Sequence, residues 1–289
     1  MQDLANQLNE LCEKEPFSTT WWIKDLRTGE IIDRDGDKVV PSASTRKISI
    51  MLATLNQVNE GKLSLDDPFV IEERYQDRAN GAFQYLKPGL KITLYDAIVM
   101  MIIVSDNTCT GMISERVGLD NVNAYCKQVG MKGTTHRFGK PPTHATELNH
   151  PIEASNSTTA ADSGYVLDLL IRGTNDSAAA SELGLSTELC QLGVQIMSWQ
   201  MLTSKLPALL PPEASVAHKT GTGRRMANDA GIVFENGEPR FVISVYVDGA
   251  PREQPDGPNG QTAAKMHVAR LCRTAWDALV AVRTGAPAD

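Results

Sequence analysis

The sequence predicts an α/β fold of the α+β kind, in which an antiparallel sheet is flanked by N- and C-terminal helices and an all-α lobe is inserted. Strand-like segments occur near both ends of the 289-residue chain, the middle shows mostly helical periodicity, and a helical pattern occupies each terminus. The length suits one large domain or two closely joined lobes. We therefore expect a sheet lobe from 1–43 plus 206–289 and a helical lobe from 44–205, together forming one compact domain.

The N-terminal segments predict a helix and then a β-hairpin. Leu4, Leu8 and Leu11 fall on one helical stripe. The β-rich run 19–23 is followed by turn residues at 27–30 and by a second strand beginning at 31. From residue 48 apolar residues again recur with a helical period, which predicts a helix ending near Gly61.

The middle of the chain, roughly 65–205, is predicted to be mostly helical. Residues 93–96 (Thr-Leu-Tyr-Asp) resemble a capping box that opens a helix with apolar residues nearly all round through Val104. Such a helix should lie buried in the centre of its lobe. The stretch 138–158 contains three prolines and predicts a long loop, and loops of this length are usually functional or disordered.

The C-terminal part returns to a strand period. Three runs, 216–222, 230–234 and 241–247, predict an antiparallel meander with Asn236-Gly237 as one hairpin turn. Apolar residues between 267 and 282 predict a closing helix. The first strand of this meander should form an edge of the sheet, facing a cleft beneath the helical lobe.

Composition narrows the possible partners to small molecules. A formal charge of −7 without a cluster of Lys and Arg argues against a nucleic-acid surface. The longest apolar stretch, 97–104, is much shorter than the roughly 18 residues of a membrane helix. The five His residues lack the spacing of a zinc helix, so we expect no metal and no cofactor. Monomer and weak homo-oligomer are both compatible with the sequence.

Cysteine usage and the N-terminus bear on the compartment. Five Cys at irregular spacing, without a C-x-x-C pair, do not suggest a disulfide framework, and Cys126 and Cys272 have the apolar neighbours of core residues. No basic start and apolar core of a secretory signal follows Met1. We favour the cytoplasm over a secreted or periplasmic protein whose signal was removed and a Met added.

The first of three short motifs is Ser44-Thr45-Arg46-Lys47. Ser44 should begin a helix, which places Lys47 one turn away on the same face. A serine hydroxyl needs a base to become a nucleophile, and a lysine whose pKa is lowered by burial and neighbouring cations can act as one. Alone, the tetrapeptide is better explained by an N-cap serine and an exposed lysine.

The second motif is Ser105-Asp106-Asn107, directly after the predicted buried helix. Residues two apart in a turn or extended segment face the same side, so Ser105 and Asn107 can both face the cleft while Asp106 anchors backbone. Ser105 could pass a proton to a leaving nitrogen, and Asn107 could hold a substrate amide. Alone, the motif also suits an ordinary helix C-terminus.

The third motif is Lys219-Thr220-Gly221 on the predicted edge strand. Gly221 would allow an extended substrate to lie against the backbone, and Lys219 and Thr220 offer a cation and a hydroxyl to a carboxylate. The N–H of Thr222 could pair with that of Ser44 as an oxyanion hole. Alone, the segment would be an unremarkable strand end.

Together, the three motifs match the ordered S-x-x-K, S-D-N and K-T-G set of penicillin-recognising serine enzymes. From about Thr19 to Val282 the chain resembles a class A β-lactamase-type serine hydrolase. Residues 89–107 (GLKITLYDAIVMMIIVSDN), 147–149 (Glu-Leu-Asn) and 217–223 (AHKTGTG) add to the resemblance. It implies the family fold and an acyl-enzyme on Ser44. Its S-D-N form differs from the tyrosine used by class C enzymes.

One departure from the family concerns deacylation. The resemblance implies a glutamate two residues before the Glu147-Leu148-Asn149 tripeptide, where it would activate the water that cleaves the acyl-enzyme. Here that position is Ala145, and Thr143 replaces the arginine that usually begins the loop motif. Asn149 remains as a partner for the water, and Glu147 or His144 is the nearest replacement base. We expect acylation to be retained and turnover with β-lactams to be slow.

Several explanations of Ala145 remain open at this point. The chain is either an engineered variant that traps the acyl-enzyme, a natural relative with another base, or an enzyme acting on a different amide or ester. That last alternative is a non-β-lactam amidase, esterase or acyltransferase of a cytosolic pathway. A sensor that stays acylated, or a pseudoenzyme that retains the fold, would also tolerate the alanine.

Overall fold

The computed structural model describes residues 1–76, 80–139, 152–253 and 259–280. The helices in this part of the chain are α1 (Gln2–Glu13), α2 (Lys47–Asn59), α3 (Leu94–Ile103), α4 (Asn107–Val117), α5 (Leu119–Gln128), α6 (Ala160–Gly173), α7 (Ser177–Glu182), α8 (Thr187–Ser198) and α9 (Gly260–Leu279). The strands are β1 (Ser18–Asp25), β2 (Ile31–Arg34), β3 (Val40–Pro41), β4 (Pro68–Val70), β5 (Lys91–Thr93), β6 (Ser157–Thr158), β7 (Ala214–Gly223), β8 (Met226–Glu235) and β9 (Glu238–Asp248).

A five-stranded antiparallel sheet with the order β2-β1-β9-β8-β7 confirms the predicted fold class. The hairpin between β8 and β9 turns at Asn236-Gly237, whose φ values of 51° and 85° are the positive values that a tight hairpin turn requires. The strand β7 is an edge of the sheet, as the sequence predicts. The edge of β7 that is not paired with β8 lies against residues 43–46.

Two apolar cores cover the two faces of the sheet. Helices α1 and α9 pack on one face, around buried residues such as Leu8, Phe241 and Trp276. Helix α6 covers the other face and joins it to the core of the remaining helices. The close approach depends on Gly164, because a Cβ there would lie 2.1 Å from the ring of Trp22.

Helix α3 is the central buried helix that the sequence predicts. Thr93 and Asp96 form the reciprocal capping box at its N-terminus, and Leu94, Ile98 and Met101 are fully buried. Because the helix ends at Ile103, the Ser105-Asp106-Asn107 motif begins immediately beyond it. The core of the helical layer thus fixes the position of the second motif.

The closing helix begins earlier than predicted, at Gly260 instead of 267. Asn259 accepts a hydrogen bond from Thr262 N, which caps a polar first turn that apolar periodicity could not reveal. The five cysteines are all buried and free of disulfides. No helix within the described residues is both long and apolar enough to cross a bilayer.

Candidate active site

Ser44 lies in a 3-10 turn, Ala43–Arg46, and not in the first turn of an α-helix as predicted. Helix α2 begins only at Lys47. Side chains three residues apart eclipse one another in a 3-10 turn, so Ser44 and Lys47 still share one side. Ser44 is half-buried, whereas Lys47 is 1% exposed. The turn therefore leaves Ser44 partly exposed and removes the Lys47 amine from water.

The Lys47 side-chain nitrogen joins the first motif to the second. It lies within hydrogen-bond distance of Ser105 O at 2.7 Å, of Ser105 Oγ at 3.0 Å and of Asn107 Oδ1 at 2.8 Å. All of these acceptors are neutral. The two side chains predicted to face the cleft, Ser105 and Asn107, therefore meet at one nitrogen.

The environment of Lys47 favours its uncharged amine. Burial is the largest effect that lowers the pKa of Lys47 well below its ordinary value, followed by the positive charges of Lys219 and Arg46. The carboxylate of Asp106 acts in the opposite direction but does not offset them. A neutral amine in this position can accept a proton, as the sequence analysis required of this residue.

The backbone of the second motif is held in a strained conformation. Ser105 has a φ of 57°, which is uncommon for a residue with a side chain, and its carbonyl oxygen also accepts from Asn80 Nδ2 at 2.8 Å. Asp106 turns away from the cleft, because it accepts from Phe83 N at 2.9 Å and from Cys109 N at 3.1 Å. Its predicted role as a backbone anchor is confirmed.

Strand β7 brings the third motif against the Ser44 turn. A Cβ on Gly221 would lie 3.0 Å from Ser42 O and 3.1 Å from Ser44 N, so only a glycine lets the backbones approach without displacement. The edge of β7 that is not paired with β8 thus runs along the start of the turn. Thr220 is buried on this strand and Thr222 is exposed. The third motif therefore lies against the first, and Lys47 joins the first motif to the second.

Two buried lysines lie beside this strand, and only one of them belongs to a motif. Lys219 donates to Thr220 O at 2.8 Å, and burial lowers its pKa to about 7. Lys205 donates to Thr222 Oγ1 at 2.9 Å and to Gly221 O at 3.2 Å, and burial lowers its pKa to about 8. Lys205 was not predicted, because a single lysine in a Leu- and Pro-rich stretch has no recognisable pattern.

A buried His–Asp pair supports the same strand. His218 Nδ1 lies 3.0 Å from both carboxylate oxygens of Asp229, and Leu206 N donates to Asp229 Oδ2 at 3.2 Å. The Asp229 carboxylate raises the pKa of Lys219 and of Lys205, against the larger effect of burial. This negative charge therefore partly balances the two cations. The sequence contains the pair on separate strands, without a motif that relates them.

The predicted deacylation residues lie outside the described residues. Ala145, Glu147, Asn149 and His144 all belong to 140–151. Within the residues that the structure does describe, no cluster of three or more His, Cys, Asp and Glu side chains could hold a metal ion. The described site thus consists of Ser44 and Ser105, Asn107, three buried lysines, the backbone anchor Asp106 and the buried pair of His218 with Asp229.

Comparison with known proteins agrees with this geometry. The model of a family described as "Beta-lactamase enzyme family" matches residues 3–279. The chain belongs to this family. It is 22% identical over 294 residues to a beta-lactamase of Bacteroides uniformis, covering 96% of this chain and 92% of the relative. Together with the site, this membership supports a β-lactamase-like serine hydrolase.

Solved structures show the same fold. The beta-lactamase of Sphaerobacter thermophilus DSM 20745 superposes with a TM-score of 0.81 at 23% identity, covering 96% of this chain and 98% of that one. A point mutant of PBP-A, described as an acyl-enzyme complex with penicillin G, has a TM-score of 0.80 at 24% identity, with 96% of each chain covered. Proteins of this fold thus include a penicillin-acylated example.

Proposed function

We propose that this β-lactamase-like hydrolase forms an acyl-enzyme between Ser44 and a β-lactam or a chemically related amide or ester. The observation that carries the proposal is the set of hydrogen bonds from the buried Lys47 nitrogen to Ser105 and Asn107. A lysine that was merely structural would more commonly keep its charge in water or beside a carboxylate. Here it is held among neutral groups, one turn from the partly exposed Ser44.

Acylation then requires three proton transfers. The neutral Lys47 amine takes the proton of Ser44, and Ser44 Oγ attacks the carbonyl carbon to form a tetrahedral oxyanion. When the oxyanion collapses, the carbon–nitrogen bond of the lactam breaks and the leaving nitrogen takes the proton of Ser105 Oγ. Lys47 then returns its proton to Ser105 across their 3.0 Å hydrogen bond. The serine is acylated and both helpers regain their starting states.

Strand β7 would supply recognition and charge stabilisation. The N–H groups of Ser44 and Thr222 would bind the oxyanion, and Gly221 lets the substrate approach the strand. Lys219 and Thr220 would bind a substrate carboxylate, with Lys205 as a further cation. Burial is the main cause of the lowered pKa of Lys219, and the charge of Lys205, which lowers it further, would be partly neutralised by such a carboxylate. The site therefore favours anionic substrates over neutral ones.

Deacylation is the step that the sequence leaves impaired. Ala145 has no group that can activate water, so we expect the acyl-enzyme to persist. The description of the mutant PBP-A structure as an acyl-enzyme with penicillin G supports acylation of a protein with this fold. The β-lactamase names of the curated relatives favour lactams over the non-lactam alternatives.

Mass spectrometry of the intact protein and of its proteolytic peptides tests acylation. Incubation with benzylpenicillin should add the mass of the compound to the peptide containing Ser44, and Ser44→Ala should remove the adduct. Ser42→Ala is the matched control, because the Ser42 hydroxyl donates to Asn156 O, and it should retain the adduct. An unchanged mass with a panel of penicillins and cephalosporins, without hydrolysis of them, would reject the lactam substrate.

The lifetime of the adduct tests the role assigned to Ala145. After removal of excess benzylpenicillin, the adduct should disappear faster in Ala145→Glu than in the original protein. Equal lifetimes would show that this loop position does not govern deacylation. A short-lived adduct in the original protein would show that another group already activates the water.

A further inference from the structure

The residue between the serine and lysine of the first motif is a buried arginine. Arg46 is 4% exposed, and its guanidinium donates to Phe138 O at 3.1 Å and to Gly139 O. Both acceptors are neutral carbonyls. No carboxylate among the described residues lies at ion-pair distance from this guanidinium, and burial is the cause that lowers its pKa to about 10. Arg46 therefore keeps a buried positive charge at neutral pH.

Four ionisable groups act on the Lys47 nitrogen from the elements packed around it. Lys219 on β7 and Arg46 in the 3-10 turn disfavour its protonated form. Asp106 at the start of α4 favours protonation, although its oxygens are occupied by the amides of Phe83 and Cys109. The fourth group, the Cys109 thiol on α4, is kept neutral by burial, which raises its pKa well above the ordinary value. Two cations thus oppose one carboxylate.

We propose that Arg46 is a positioning residue whose permanent charge keeps Lys47 in its neutral, proton-accepting form. The inference rests on the proposed acylation of Ser44 and adds the group that prepares its base. Lys219 alone cannot keep Lys47 neutral above neutral pH. Its own pKa is about 7, so it loses its positive charge in mildly alkaline solution. The guanidinium of Arg46 remains charged in mildly alkaline solution, and its hydrogen bonds to the carbonyls of Phe138 and Gly139 hold it in position.

Direct titration of Lys47 tests the proposal without a substrate. In protein carrying 13C-labelled lysine, the Lys47 Cε signal is assigned by its loss in Lys47→Arg and followed with pH. Arg46→Met should raise the midpoint by about one pH unit, the scale expected for a cation within roughly 10 Å at an effective dielectric constant near 20. Methionine suits this test, because an apolar residue of similar size often replaces a buried charge without loss of folding. Arg46→Gln is the second variant.

A charge-conserving variant and a remote one serve as controls. Arg46→Lys should give a midpoint below that of Arg46→Met, and Lys62→Met, at an exposed position three residues beyond the end of α2, should leave it unchanged. A purely structural Arg46 would change thermal stability but not the midpoint. The proposal is overturned if folded Arg46→Met or Arg46→Gln titrates at the same pH as the original protein.

The acylation rate gives the corresponding functional result. Below the Lys47 midpoint, an upward shift of one pH unit should slow benzylpenicillin acylation about tenfold, with convergence at high pH. A uniform slowing at all pH values would contradict a role through the charge. If the original protein forms no adduct, the acylation proposal fails, while the titration still decides the role of Arg46.

Discussion

Replacing Lys205 by methionine should stabilise the protein at neutral pH while weakening its reaction with anionic substrates. Lys205 is 1% exposed, and burial lowers its pKa from 10.5 to about 8. At pH 7 both the folded and unfolded chains carry this charge, so folding bears the full desolvation cost. The difference between the two pKa values corresponds to about 3 kcal/mol, at about 1.36 kcal/mol per pKa unit.

The sign of the pH dependence follows from the lowered pKa in the folded state. Above pH 10.5 the lysine is neutral in both states and costs nothing, whereas below about pH 8 the cost is complete. At pH 9.5 the unfolded chain is still mostly protonated and the folded protein is not, which leaves a cost of about 1.5 kcal/mol. Methionine carries no charge, so the stability gained by the substitution should follow the same curve.

Urea denaturation at pH 7.0 and pH 9.5 measures this gain. Lys205→Met should be more stable than the original protein by about 3 kcal/mol at the lower pH and by about half as much at the higher. Lys62→Met, which removes an exposed lysine, should change stability by less than about 0.5 kcal/mol at either pH. The rate of acylation by benzylpenicillin should fall about 10- to 100-fold, since hydrogen bonds to charged groups contribute about 1.5–3 kcal/mol.

Two results would refute this reasoning. A loss of stability at pH 7 would mean that the contacts of Lys205 with Thr222 and Gly221 outweigh its desolvation. A gain of equal size at both pH values would mean that improved packing, and not the removed charge, stabilises the variant. If Lys205 contacts the substrate carboxylate, Lys205→Met should slow the reaction with a neutral ester less than the reaction with benzylpenicillin.

Two further changes test the strand and the sheet. Gly221→Ala should lower stability by about 1–3 kcal/mol and slow acylation about tenfold, because its Cβ would displace the strand from Ser42 O and Ser44 N; acylation at the original rate would contradict this. His267 is buried with a pKa lowered from 6.5 to about 4, so its neutral form stabilises the protein above pH 6.5 and that stability is lost as the pH falls towards 4. Between pH 7 and pH 4.5, the free energy of unfolding should fall by about 2.5 kcal/mol less in His267→Gln than in the original protein, as measured by denaturation. An identical fall in both proteins would exclude this role.

The elements that sequence reasoning predicted well have strong local signals. The turn at Asn236-Gly237 and the capping box at Thr93 are both observed, because their backbone geometry depends on a few adjacent residues. The edge position of β7 followed from the order of the strands. By contrast, the start of the closing helix at Gly260 depends on a polar first turn and the cap at Asn259, neither of which creates apolar periodicity.

The candidate site was predictable only where its residues form motifs. Lys47, Ser105 and Asn107 meet as expected, because both motifs adjoin helices whose burial the sequence indicates. Lys205 and the pair of His218 with Asp229 come to lie beside the motif residues only when the strands and the preceding loop pack together. Their charges interact through space although the residues are separated in the sequence, and no sequence pattern relates them.

The positive φ of Ser105 has a consequence for how this protein can change over time. Such a conformation costs of order 1–3 kcal/mol for a residue with a side chain, and glycine would relieve it. Selection for a more robust fold alone would therefore favour glycine at this position and remove the hydroxyl. A lineage that retains serine here keeps a less stable fold together with the hydroxyl that the reaction needs. Without selection for activity on a substrate, this serine should therefore be replaced early.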